Sequence, residues 1–387
     1  MVPNVPLILA INTDEKDALK KMMLKGLIST SAAKEFHMKS VKEFLFGYTD
    51  AFVNGISFGM NDFKPEKIGI LGSRKGISTD NLTIYTGEDT LENLGKIYAM
   101  NDESKMKIWS TEECNEIVGT DGSQFPPSWM DGKRNLEVFI KSICRPFPLK
   151  FESEVTVLNG LPAWRYRPLP NVFGSSIVNP DNECYCDSSV PSNKCPPSGV
   201  FDSEKCVGVA ILMSYPHFYE GDEILLQHFD GLNPNAEDHA TFADIHPRMA
   251  FPIGGASRLQ VNVKVKKIAY GFFGIAYKHL PDELILPVCW FELTAGEISP
   301  DLMALIFNTT HSANTAYFTI QYGSIICMFV TFLLTLSTTL FYYRTLAGKE
   351  SKSKCNKEMK CCDSTRDIVM FKTKQPDPVY PTLPQNV

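Results

Sequence analysis

Arg258–Ile268 reads RLQVNVKVKKI, and its alternation decides the kind of fold. Leu259, Val261, Val263 and Val265 fall on one face of an extended chain, while Gln260, Asn262, Lys264 and Lys266 fall on the other. A period of two carried by branched residues predicts a strand of an antiparallel sheet with one packed face and one wet face. Similar runs recur at Lys67–Leu71, Leu82–Thr86, Glu152–Leu158, Val207–Met213 and Leu284–Phe291, each bounded by Gly, Asn, Asp or Pro. Helix signals come earlier. Asp14–Gly26 places Leu19, Met22, Met23 and Leu27 on one face, with Lys20, Lys21 and Lys25 on the rest. A second helix starts at Ser40, where S-V-K-E forms a capping box with Glu43, and stops at Gly47. The expected class is therefore mainly β with added helix (α+β). No internal repeat is visible.

Upstream of the strand, Asn179–Cys206 reads NPDNECYCDSSVPSNKCPPSGVFDSEKC and carries Cys184, Cys186, Cys195 and Cys206. Its few apolar side chains cannot offset the entropy of ordering it, so a covalent or metallic tie is needed. Cys114 and Cys144 lie upstream at similar polar-to-apolar boundaries. Zinc is the alternative, but C-x-C followed by cysteines after eight and then ten residues lacks the paired C-x-x-C spacing of structural sites. Disulfides fit better, and they persist only in oxidising space, so this region is expected outside the cell or in a lumen.

The charge pattern agrees with that placement. The chain has 387 residues and a formal charge of -6, but from Arg344 onward nine Lys or Arg face five Asp or Glu, so the tail is at +4 and the remainder at -10. Between them Ser312–Tyr343 has no charged residue, and Tyr322–Tyr343 matches the ~20 residues that a helix needs to cross hydrocarbon. Tyr317, Tyr322, Tyr342 and Tyr343 fall where an interfacial belt belongs. Lysines follow the span and do not precede it closely, which places the tail in the cytosol. The expected organisation is an ectodomain over 1–316, a transmembrane helix over 317–343 and a cytosolic tail over 344–387. Sequons at Asn81 (NLT) and Asn308 (NTT) lie on the ectodomain side. Val5–Ile11 is apolar, but it has no basic flank, is interrupted by Pro6 and makes a poor signal peptide.

Catalytic and metal motifs fare poorly. Gly55–Gly59 matches G-x-S-x-G, yet Asn61, Asp62 and Pro65 follow where a helix is required. His228, His239 and His246 have spacings that match no metal template and read as polar loop histidines. Gly69, Gly72 and Gly76 in GILGSRKG form neither phosphate-binding fingerprint, and a turn explains them. An enzyme is not expected, nor a cofactor, nor a nucleic-acid partner. In the tail, Cys355, Cys361 and Cys362 sit among lysines near the span, where palmitoylation would pin them to an anionic leaflet. Tyr380 and Leu383 in YPTL resemble a Y-x-x-Φ sorting signal read by clathrin adaptors, and the surrounding prolines keep that segment extended.

A larger resemblance runs through the chain. GTDGSQFPP at Gly119–Pro127, SICRPF at Ser142–Phe147, VNPDNECYC at Val178–Cys186, SYPHF at Ser214–Phe218, DGLNPNAEDHATFADIHP at Asp230–Pro247 and RLQVNV at Arg258–Val263 resemble the class B scavenger receptor family, in order over nearly all of residues 7–344. The resemblance implies a large antiparallel, barrel-like ectodomain with a helical apex and a hydrophobic tunnel, held by two transmembrane helices. It makes 14–47 apical, with Lys20, Lys21 and Lys25 as the expected ligand surface. It implies the pairs Cys114 with Cys184, Cys144 with Cys206, and Cys186 with Cys195, one of fifteen pairings open to six cysteines. Cys289 is left without a partner. The implied function is a membrane receptor that binds lipoproteins or lipids and passes fatty acids, sterols or phospholipids to the bilayer. The alternative is a lysosomal or endosomal receptor that sorts a soluble hydrolase. Plasma membrane with cycling to endosomes and lysosomes is the expected location. The family's N-terminal transmembrane helix and first strands have no counterpart here, so a truncated chain is expected.

Overall fold

The computed structural model describes residues 1–12, 26, 35–49, 54, 69–72, 76, 80–158, 160–186, 195–267, 269–270, 274–275, 279–294 and 299–362. Two compact units divide the chain, Met1–Thr310 and His311–Val387. In the first, strands β1 (Val2–Pro3), β2 (Phe36–His37), β3 (Leu82–Ile84) and β4 (Ile97–Met100) form two small antiparallel ribbons, β1 with β2 and β3 with β4. The main sheet has eight strands: β5 (Leu136–Ile140), β6 (Arg145–Val157), β7 (Leu161–Pro168), β8 (Val200–Asp202), β9 (Ile211–Ser214), β10 (Phe242–Ile245), β11 (Pro252–Val265) and β14 (Leu284–Thr294). Strands β12 (Ala269–Tyr270) and β13 (Gly274–Ile275) make a short hairpin.

The hub is β11. It pairs antiparallel with β14 along Ala256–Val265, with β10 along Pro252–Ala256 and with β9 along Gln260–Val263. The strand order is β5-β6-β7-β10-β11-β9-β8, with β14 branching from β11, and this sheet does not close into a barrel among the described residues. The class is mixed α and β, rich in sheet, with one long C-terminal helix.

Antiparallel pairing holds for RLQVNV, but the wet face does not. Gln260 and Asn262 are 2% and 0% exposed. The reason is tertiary: the turn Pro216–Phe218 covers that face, and His217 N donates to Gln260 Oε1 at 2.9 Å. Lys264 alone of the polar set in β11 reaches outward, to Glu283 at 3.2 Å. On the other face Val263 and Val265 pack with Leu284 against the helix Val5–Asn12, whose Leu7 and Ile8 are buried. Pro6 starts this helix and does not interrupt it. A proline in the first turn lacks only an N–H that has no helical acceptor, and Asn4 Oδ1 accepts from Leu7 N at 3.2 Å.

Residues around Gly69 make a second departure. Only 69–71 of the expected strand Lys67–Leu71 are described, and they form a turn. Ile70 N and Leu71 N donate to the carbonyls of Phe44 and Leu45 at 3.2 and 2.8 Å, satisfying the end of the helix Val41–Phe46. A side chain at Gly69 would meet the Gly47 backbone at 2.4 Å, so only glycine permits the approach. That short helix has the capping box, with Ser40 accepting from Glu43 N and the Glu43 carboxylate accepting from Ser40 N. The expected strand Val207–Met213 begins instead at Ile211, because Glu204–Val207 is one helical turn ended by Gly208 in the left-handed region. The expected helix over 14–26 lies outside the described residues apart from Gly26.

The helix Pro300–Cys362 is the one element among the described residues long and apolar enough to cross a membrane. Its first turns belong to the first unit, where Ile306 packs on Leu161, Ala163 and Ile253. In the second unit Phe329, Phe332 and Leu333 are all more than half exposed to solvent. Oily side chains left in water over such a length are stable only in lipid or against another apolar surface.

Candidate functional site

Three disulfides gather one face of the first unit: Cys114–Cys184, Cys144–Cys206 and Cys186–Cys195, with Cα separations of 6.3, 5.7 and 6.0 Å. The loop around Cys114 is shaped by Asn115, which belongs to no motif visible in the sequence. Its Oδ1 accepts from Ile108 N and Trp109 N, and its Nδ2 donates to the carbonyls of Trp109 and Thr111. The indole of Trp109 is thereby aimed at Cys144 O, to which Nε1 donates at 2.7 Å. Ser110 Oγ donates to Cys184 O at 2.8 Å. Sulfur bridges and amide bonds thus tie the same segments together.

Behind this face lies an aromatic core of Trp109, Phe147, Phe173, Phe201 and Tyr215, with Tyr185 against its edge. Inside it sits a charge. Arg145 is 5% exposed, with its guanidinium 4.1 Å from the ring centre of Tyr185 and 5.2 Å from that of Phe201. Its Nη2 donates to Asn182 Oδ1 at 2.9 Å, and Asn182 Nδ2 donates to the carbonyls of Val172 and Gly174. Burial lowers the Arg145 pKa from its usual value, and burial raises that of Tyr215 well above the phenol range. A recess of about 40 Å³ is lined by Phe173, Asn182, Tyr185 and Phe201 among others.

The central strands β7, β10 and β11 bring three arginines around Phe242. Arg165 grips Asp244 in two parallel bonds, Nε to Oδ1 and Nη2 to Oδ2, both 2.8 Å. The side-chain hydrogen bond to Asp244 raises the Arg165 pKa. Arg165 also lies 4.1 Å from the Phe242 ring centre, with Arg167 and Arg258 at 5.7 and 5.9 Å. Each cation has a carboxylate of its own, Arg167 with Glu152 and Arg258 with Glu292, so the cluster is locally neutral.

The remaining candidates scatter. His239 and His246 are buried, not loop-exposed: His239 Nδ1 accepts from Asn235 N, and His246 Nδ1 accepts from Arg248 N and Met249 N. Burial depresses both pKa values, and no group of three His, Cys, Asp or Glu among the described residues could hold a metal. Cys289 is half-buried beside Val288 and Leu286, and burial pushes its thiol up to about 12. Asn81 is exposed at the start of β3, and Asn308 is exposed on the C-terminal helix. Lys20, Lys21, Lys25, Tyr380, Leu383 and the G-x-S-x-G serine lie outside the described residues, and Cys355, Cys361 and Cys362 are placed only as positions on the helix.

The model of the CD36 family matches residues 1–339, which takes in the sheet, all three disulfides and most of the apolar stretch. The chain belongs to the CD36 family. It is 30% identical to scavenger receptor class B member 1 of Mus musculus over 298 residues, 76% of this chain and 56% of that protein. It is 32% identical to lysosome membrane protein 2 of Homo sapiens over 266 residues, 68% of this chain and 54% of that protein. The chain spans about half the length of these relatives.

Proposed function

We propose that the protein is a membrane scavenger receptor that binds lipoproteins or lipids outside the cell or in a lumen and delivers fatty acids, sterols or phospholipids to the bilayer. The observation that carries this reading is the family match over 1–339, which joins the disulfide-bearing sheet to the exposed apolar helix. On this reading residues 1–316 face the oxidising side, 317–343 cross the bilayer and 344–387 lie in the cytosol. The sheet belongs to a barrel-like ectodomain whose tunnel takes an acyl chain, and at ~0.8 kcal/mol per buried methylene no polar contact is needed to hold it. Loose ligand choice follows. Residues 14–47 form the apex, where Lys20, Lys21 and Lys25 attract anionic particles. Asn81 and Asn308 carry glycans, and Cys355, Cys361 and Cys362 carry palmitoyl chains. Tyr380 and Leu383 engage clathrin adaptors.

Purification in mild detergent followed by lipid mass spectrometry tests the reading. A stoichiometric fatty acid, sterol or phospholipid is expected; an apo receptor that gives cells no extra uptake of labelled lipid would end it. A second reading, a lysosomal or endosomal receptor for a soluble hydrolase, is favoured by the identity to lysosome membrane protein 2. A hydrolase that co-precipitates with the protein and is mis-sorted on its depletion supports that second reading.

A further inference from the structure

Two imidazoles that the proposed receptor activity does not use lie ring against ring. His217, on the turn Pro216–Phe218, and His239, at the end of the helix Ala236–His239, have ring centres 4.2 Å apart and planes tilted by 31°. Each accepts a hydrogen bond from the same short segment. Asn233 N donates to His217 Nδ1 at 3.1 Å, and Asn235 N donates to His239 Nδ1 at 3.0 Å. Pro234 stands between the two donors and restricts the backbone there. Among the described residues, the bond to His217 is the one hydrogen bond that ties residues 230–239 to another element.

Both bonds require a neutral ring. Nδ1 accepts only while it keeps its lone pair, so the ring proton sits on Nε2. Protonation places a hydrogen on Nδ1, where it meets the backbone N–H and ends the bond. The surroundings of His239 oppose that charge: the residue is 3% exposed, burial lowers its pKa from the ordinary 6.5, and the neighbouring His217 adds to the effect. Arg258 on β11 acts in the same direction, although Glu292 on β14 pairs with it, while Asp238 on the helix itself acts the other way. As pH falls below 6.5 the opened segment takes up the proton that the closed form resists, so closure is fully favoured above 6.5 and weakens in acid. The partner turn is itself strained. His217 and Phe218 have φ of 52° and 55°, in the left-handed region that such residues rarely adopt, and the turn is held to β11 through His217 N, which donates to Gln260 Oε1.

We infer that the pair His217 and His239 is a pH-sensitive latch: with both rings neutral it holds residues 230–239 against the turn Pro216–Phe218, and a proton on His239 releases them. One proton suffices, since a second would put two cations 4.2 Å apart. The latch does not depend on which ligand the chain carries. It responds to the difference between neutral and acidic surroundings.

Amide hydrogen exchange on the full chain in detergent, at about pH 7.5 and about pH 5 with the intrinsic rates divided out, tests the latch. Protection of the Asn233 and Asn235 amides is expected to fall about fivefold or more in acid. His239→Asn keeps an acceptor oxygen near the place of Nδ1 and removes the titration, so its protection should change less than about twofold between the two conditions. Trp290 gives a second readout, because its indole lies edge-on to His239 with ring centres 6.1 Å apart. A charge on that ring, or its departure, alters indole emission. Emission should therefore titrate below pH 6.5, and the titration should be absent in Trp290→Phe. If His239→Asn does not fold, the emission difference between wild type and Trp290→Phe decides. Equal protection at both pH values, an acid opening that persists in His239→Asn, or a titration of emission that Trp290→Phe leaves unchanged would overturn the latch.

Discussion

Gln260 and Asn262, two residues apart on β11, face each other in the interior, and Gln260 Nε2 donates to Asn262 Oδ1 at 2.9 Å. Ser214 Oγ on the neighbouring strand accepts from both amides, at 3.3 Å from Gln260 and 3.0 Å from Asn262. Because His217 N and Leu212 O complete the set, both buried amides are satisfied. Replacing either residue alone with Leu strands the partners of the other, and each should cost ~1–3 kcal/mol. The double variant should cost clearly less than the two losses added together, since the groups act as one network. Chemical denaturation of the three variants checks both statements.

The three bridges close segments 70, 62 and 9 residues apart. Loss of a bridge typically costs ~2–4 kcal/mol, with more expected from the long segments than from the short one. Cys144→Ser with Cys206→Ser is therefore expected to lower the Tm more than Cys186→Ser with Cys195→Ser. Non-reducing peptide mapping beside the melts shows whether the remaining pairs survive; equal losses from both double variants would contradict the ranking.

Cys289 gives a pH test. Its thiol titrates near 12 in the folded protein against 9.0 for an exposed thiol, because burial disfavours the thiolate. The unfolded chain therefore releases this proton first, and stability falls as pH rises from 9 towards 12, while below 9 the group contributes no pH dependence. At pH 8 the folded thiol is ionised in only about one molecule in ten thousand, so maleimide should label it slowly until denaturant is added. Cys289→Ala should flatten the alkaline loss of stability. Rapid labelling of the native protein would contradict the burial.

Asp244 and Arg165 form the best-shaped ion pair, a two-bond fork with Asp244 nearly enclosed. Arg165→Lys keeps the charge but cannot make both bonds at once. It is expected to destabilise measurably, and Arg165→Met more, because the enclosed carboxylate then loses its counter-charge. Partial exposure of Arg165 keeps both losses below those of a fully buried pair. Thermal melts at pH 7 check the order wild type, Lys, Met.

The two sequons differ in accessibility. Thr83 is exposed in an extended strand two residues after Asn81, while Thr310 is 0% exposed and its hydroxyl bonds back to Ile306 O and Phe307 O within the helix. In protein that reaches the lumen, Asn81→Gln should remove a fully occupied glycan, and Asn308→Gln should remove one of lower occupancy. Mobility on gels with and without glycosidase distinguishes them.

How much of this was legible depends on how local the signal is. The period of two in RLQVNV and the Ser40–Glu43 box are decided by neighbours in sequence, and both read correctly as strand and cap. The wet face failed because the partners of Gln260 are Ser214 and His217, 46 and 43 residues away, and only the folded chain brings them over it. Pro6 reads as an interruption in the sequence because nothing local marks it as a first-turn residue of the helix Val5–Asn12. Ile70 and Leu71 have strand chemistry, but the open carbonyls of a helix end captured them first. For the candidate site, clustered cysteines announce cross-linking, yet spacing does not say which sulfur meets which. Asn115, Asn182 and Arg145 look like ordinary loop and strand polar residues until burial makes each of their hydrogen bonds count.

The bridges also decide what a protease can achieve. A cut at any bond between positions 186 and 195 divides the polypeptide in two, but Cys186–Cys195 and Cys144–Cys206 both cross that point. The fragments would stay joined at two places, and β8, β9, β10, β11 and β14 would remain stitched to β5, β6 and β7. Nicked material would run as a single species on a non-reducing gel and split only with a reductant. In a protease-rich compartment, such a chain could be scarred and still remain whole.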